Sequence, residues 1–169
     1  MTSVTSPALL RVIARGEREI VMTREFDAPR PHVFDAWTKP ALVERWFGRR
    51  EGWTTKAEID LRVGGIYRFR LRDGGGNEIV LRGEYREVVR LERIVSAEAF
   101  EGFSERGWRP EDATLSTMVF TEQAGRTLWT ATQLYPSMDV RDAVLHDPNM
   151  QTGMNEGFAA LDAVLRDLE

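Results

Sequence analysis

Apolar and polar residues alternate one by one through most of this chain, and recur at three- and four-residue spacing in two places, after the first predicted strand and at the C-terminus. The run Glu-Ile-Val-Met-Thr-Arg-Glu-Phe over 19–26 favours a strand, closed by Asp27-Ala28-Pro29. Pro31 suits a first helical position, with Val33, Phe34 and Trp37 spaced for one buried face. Pro40 ends that helix and starts a second over 41–47, apolar at Leu42, Val43, Trp46 and Phe47, which Gly48 stops. Residues 53–61 then alternate, Gly64-Gly65 makes a turn, and 66–72 sets Tyr67, Phe69 and Leu71 against Arg68, Arg70 and Arg72. Further strands are predicted over 78–89, 93–100, 115–122 and 127–134, the last two joined by a hairpin at Gln123-Ala124-Gly125-Arg126.

The clearest helix comes last. Asp147 is a good N-cap and Pro148 a good first helical residue. Met150, Gly153, Met154, Gly157, Phe158, Leu161, Val164, Leu165 and Leu168 then share one face. A helix over 148–168 spans about 31 Å at ~1.5 Å per residue, enough to lie across a whole sheet. The pattern predicts an α+β fold: a curved antiparallel sheet of about six to seven strands around a long C-terminal helix, with two short helices after the first strand. Residues 1–17 read as a leader, poorly structured or forming a short helix or strand, and 18–169 as a single domain.

Composition narrows the classes. A chain of 169 residues suits one domain with one sizeable core. It has no cysteine, which excludes disulfides, thiolate nucleophiles and thiolate zinc sites and fits a reducing, cytoplasmic setting. No apolar run reaches the ~20 residues of a membrane helix, so membrane insertion is not expected. A net charge of −4 argues against a general nucleic-acid binder. The basic residues are nearly all arginine, lysine occurring only at 39 and 56, and the row Arg68, Arg70, Arg72 reads as a solvated outer face with Glu58, Asp60, Glu84 and Glu87 as cross-strand partners.

Several strings, in this order, resemble the START-like (SRPBCC, helix-grip) superfamily, in the branch similar to the C-terminal domain of the Hsp90 ATPase activator Aha1. They are Ala28-Pro29 with Val33-Phe34-Asp35-Ala36-Trp37-Thr38, Leu42-Val43-Glu44-Arg45-Trp46-Phe47, Asp60-Leu61-Arg62-Val63-Gly64-Gly65, Gly83-Glu84-Tyr85-Arg86-Glu87-Val88, and Gly153-Met154-Asn155-Glu156-Gly157-Phe158. The resemblance implies a cavity between sheet and long helix for a small apolar or amphipathic molecule, as in lipid carriers, plant hormone receptors and polyketide aromatase/cyclases. It implies no shared catalytic residue and no cofactor. The eukaryotic co-chaperone resembles two domains, and these 169 residues leave no room for the second, so an Hsp90-type chaperone is not the expected partner, and a stress- or chaperone-linked interaction role stands only as an alternative to ligand binding. A homodimer is compatible with a small domain of this kind.

The aromatic set Trp37, Trp53, Tyr67, Phe69, Tyr85, Trp108, Phe120 and Trp129, with Met150, Met154 and Phe158, exceeds what a thin sheet-on-helix layer needs. Gly153 and Gly157 on the helix's apolar face cost roughly 1 kcal/mol each relative to alanine, which points to close approach or to space. Together with Glu98 these residues are the expected cavity wall. Tyr67, Tyr85 and Glu98 are the groups expected to orient a ligand, or to act as acid and base if the chain is a cyclase-, dehydratase- or isomerase-type enzyme. Loops over 101–113 and 135–147 are candidate lids. His32 and His146 are read as solvated; Asp142 and His146 share a helix face, but no third ligand completes a metal site.

Overall fold

In the computed structural model of the chain, residues 9–101 and 112–169 are described. Twelve elements follow one another among them: β1 (Arg11–Arg15), β2 (Glu19–Phe26), α1 (Arg30–Thr38), α2 (Pro40–Trp46), β3 (Trp53–Ile59), β4 (Ile66–Asp73), β5 (Glu78–Val89), β6 (Arg93–Glu101), β7 (Thr114–Gln123), β8 (Arg126–Leu134), α3 (Met138–Leu145) and α4 (Pro148–Asp167). The eight strands form one antiparallel sheet in the order β1-β2-β8-β7-β6-β5-β4-β3. This is the helix-grip arrangement, with one more strand than the pattern predicts. The added strand is β1, inside the segment read as a leader; it pairs along β2 from Arg11 opposite Thr23 to Arg15 opposite Glu19.

Two prolines divide the helical segment after β2, since Pro31 lies in the first turn of α1 and Pro40 opens α2. At α4, the Asp147 side chain accepts from Asn149 N–H. That helix buries Gly157, Phe158, Leu161, Val164 and Leu165. Its Phe158 ring meets Phe26, Trp37 and Trp129 edge-on, with centroids 5.2–6.3 Å apart, so sheet, α1 and α4 share one aromatic core. Such contacts add about 0.5–1.5 kcal/mol each beyond the burial itself.

A half-buried ion pair fixes the same helix to the sheet. Arg24 lies on the inner face of β2 and binds Asp162 of α4 through two hydrogen bonds of 2.8 and 2.7 Å, with its guanidinium 4.7 Å from the Phe26 ring centre. The outer face follows the predicted alternation. Arg68 stands opposite Glu58 in the β3–β4 register, and its two-pronged hydrogen-bonded pair is with Glu101 on β6. Among the described residues no helix is long and apolar enough to cross a membrane.

Candidate functional site

The period-two pattern of β4 turns Tyr67, Phe69 and Leu71 inward, and the register carries that choice across the sheet. One inward row reads Tyr67, Gly83, Glu98 on β4, β5 and β6. The next reads Tyr85, Ser96, Ser116, Gln133 and Ile20 from β5 to β2. The row beyond is apolar, with Ile94, Met118, Ala131 and Met22. A polar strip therefore crosses an otherwise apolar inner face.

Two local features place that strip. The Gly64-Gly65 turn grips the backbone of Tyr85 at both ends, Gly64 N–H donating to its carbonyl at 2.8 Å and its N–H donating to Gly65 O at 2.9 Å. A side chain at 65 would run into Asp60 O at 2.0 Å. A β-bulge follows at Tyr85 to Glu87 and bends the strand. The second feature is Gly83, where an added Cβ would sit 2.0 Å from Cζ of Tyr67. The Tyr67 ring lies across this glycine and so reaches β6.

There its hydroxyl donates to Oε2 of Glu98 at 2.5 Å and lies 3.1 Å from Oγ of Ser96. A phenol has one proton, so the serine is the donor in the second bond. Gln133 Nε2 donates to Ser116 Oγ at 2.9 Å. Burial pushes the Glu98 carboxyl above the usual range, and the Tyr67 hydrogen bond opposes that rise. Burial first, then the Glu98 charge, raises the phenols of Tyr67 and Tyr85, and that of Tyr135 to about 12. All three stay protonated donors at neutral pH.

Above the strip lies a cavity of about 260 Å³, just below the ~300–1,000 Å³ common for small-molecule sites. The sheet forms its floor, and Trp37 of α1, Val144 of α3 and Met150 and Met154 of α4 close it. Phe100, 53% exposed, marks its rim. Glu98 lies deep within the protein yet keeps accessible surface, because it faces this space.

Of the candidate wall residues, Trp37, Tyr67, Phe69, Tyr85, Glu98, Trp129, Met150 and Met154 line the cavity. Five others do not. Phe120 packs edge-on against Phe34, and Phe158 is spent in the aromatic core. Trp53 sits at the end of the edge strand under the guanidinium of Arg50. Gly157 faces α2, where an added Cβ would meet Trp46 O at 3.7 Å, and Gly153 faces open space. The glycines thus mark helix packing and solvent rather than a pocket wall. Trp108, and most of the 101–113 loop, lies outside the described residues.

Sequence reasoning missed Ser96, Ser116, Gln133 and Tyr135. The parity of β6, β7 and β8, counted from Ile94, Phe120 and Trp129 and carried one residue past β8, would have found them. It also missed buried Arg141 of α3, which donates to the carbonyls of Gly16 and Glu19 at 3.1 Å each and holds the helix to the β1–β2 hairpin. Its Nε occupies Asp142 at 2.7 Å, so that carboxylate faces an arginine and not His146. Among the described residues no three His, Asp or Glu side chains gather as a metal site would need.

Solved structures share the architecture. A Rhodobacter sphaeroides protein is 25% identical with a TM-score of 0.82, covering 94% of this chain and 99% of its own. A Mycobacterium smegmatis protein is 20% identical with a TM-score of 0.79, over 94% and 97%. A Nitrosomonas europaea protein is 22% identical with a TM-score of 0.77, over 93% and 99%. No curated protein matches the chain. Residues 27–166 match the model of the family described as activator of Hsp90 ATPase homolog 1-like protein, and the chain belongs to that family.

Proposed function

We propose that this chain is a cytoplasmic binding module that holds a small, largely apolar ligand between the sheet and its C-terminal helix, without covalent chemistry. The observation that carries this reading is the cavity itself: apolar walls with a few convergent polar groups, Tyr67, Glu98 and Tyr85, on one side. A site of that composition gains affinity from apolar burial, at roughly 25 cal/mol per Å², and orientation from the polar strip. Methionines at 150 and 154 give the helical wall a deformable surface.

Native mass spectrometry of gently purified protein, followed by solvent extraction, tests this. A discrete added mass of a few hundred daltons is expected. Protein that emerges bare, and stays bare after incubation with a panel of apolar aromatic compounds, would overturn the reading.

One observation favours a second reading. A buried carboxyl with a raised pKa, hydrogen-bonded to a tyrosine inside a cavity, is an arrangement that acid/base catalysis uses. A cyclase-, dehydratase- or isomerase-type reaction would show as a changed mass or retention time of the extracted ligand on return to the protein. An unchanged ligand leaves binding alone.

A further inference from the structure

The cavity's charge is one-sided. Glu98 is the one acid among its described lining residues, and no arginine, lysine or histidine stands among them. Its Oε2 is engaged by Tyr67, whereas Oε1 has no hydrogen-bond partner among the described residues, and neither do the hydroxyls of Tyr85 and Tyr135. An acceptor and two hydroxyls therefore remain for whatever enters.

We infer that the ligand is a non-acidic amphipath, with a rigid apolar body against Trp37, Phe47 and Trp129 and a hydroxyl or amino head that donates to Oε1 of Glu98. The inference rests on the ligand-binding reading and specifies its chemistry. A hydroxyl head donates a hydrogen bond to Oε1 of Glu98 and accepts one from Tyr85 or Tyr135. An ammonium head pairs with the carboxylate and with the surrounding rings. A carboxylate or phosphate head fails in either state of Glu98. If Glu98 is ionised, two anions face each other with little water between them; if it is protonated, the ligand's charge is still buried without a cation. Free fatty acids and phospholipids are disfavoured on that ground, although their tails suit the walls.

Three probes with one ring system separate the possibilities: 1-naphthalenemethanol, 1-naphthylmethylamine and 1-naphthoic acid, titrated into the full chain at pH 7.5 and followed by calorimetry. The alcohol and the amine are expected to bind at least tenfold more tightly than the acid. In Glu98→Gln, which keeps an acceptor for Tyr67, the gap between amine and acid should narrow at least tenfold. Acid binding as tight as the alcohol's in the wild-type chain overturns this inference and leaves the binding reading intact. If none of the three binds at millimolar concentration, this inference falls, and the binding reading stands or falls by the mass-spectrometric test.

Discussion

The hydroxyl of Tyr67 reaches Glu98, two strands away, by lying across the bare backbone of Gly83. The bond therefore depends on a residue that contributes no side chain.

Gly83→Ala should displace the tyrosine ring, because the new methyl would sit 2.0 Å from its Cζ. Overpacking of this kind costs about 1–3 kcal/mol, and a domain of this size loses roughly 2–4 °C of melting temperature per kcal/mol. The double variant Gly83→Ala/Tyr67→Ala isolates the cause. With the ring gone the methyl has room, so the double variant should be no less stable than Tyr67→Ala alone. Additive losses in the thermal melts would show that Gly83 matters for some other reason.

The raised pKa of Glu98 makes a prediction about pH. A carboxyl that holds its proton more tightly when folded stabilises the native state fully below its ordinary value near 4.5, and that stability is lost as pH rises through the higher native value. Glu98→Gln keeps the shape and removes the titration. The melting temperature of the variant relative to wild type should therefore climb between pH 4 and pH 8. A difference that stays flat across that range would mean the carboxyl is not perturbed in the folded protein.

Arg24 and Asp162 form a further polar contact on the inner face, away from the cavity strip. Asp162 keeps about a third of its side-chain surface in water, and Arg24 keeps 8%. Asp162→Ala strands the guanidinium among apolar groups and should cost about 3 kcal/mol, the lower end of the range for broken buried pairs. Arg24→Met/Asp162→Leu leaves no charge behind and should recover at least half of that loss in denaturant titrations. If the double variant is the weaker of the two, the pair is a net stabiliser and not merely a matched cost.

Much of the fold was legible because strands such as β4 alternate cleanly, and the 78–89 strand has the predicted bounds. β1 was not legible in this way: a five-residue edge strand with mixed exposure has too short a pattern to separate from a helix turn. The site was half legible. Alternation shows which face a residue takes, so Tyr67, Phe69 and Leu71 could be assigned to one face, whereas a one-residue slip in register would reverse Tyr85 and Glu98. Alternation says nothing of which stretch of that face a helix will cover. Phe120 shares the inner face with the cavity residues, yet Phe34 of α1 presses directly on it, and Phe158 shares the apolar face of α4 with Met154 but packs into the aromatic core instead. Small polar side chains such as Ser96 and Ser116 have the right parity but no size to draw notice. The Arg24 contact was readable in principle, since Ile20, Met22, Arg24 and Phe26 share one parity and a charge among them demands a partner.

The two helix glycines carry the last prediction, because the structure gives each a neighbourhood that composition could not. Gly153 has open space around its would-be Cβ. Gly153→Ala should stabilise the chain by about 0.5–1 kcal/mol through helix propensity and leave naphthyl probe binding unchanged. Gly157→Ala meets Trp46 O at 3.7 Å, an ordinary contact, and should be tolerated too. Gly157→Leu, by contrast, must drive its side chain against α2 and should destabilise by about 1–3 kcal/mol without filling the cavity. Paired thermal melts and probe titrations on the three variants check this. Loss of probe affinity in Gly153→Ala at unchanged stability would return that glycine to the pocket wall and require α4 to sit differently on the sheet.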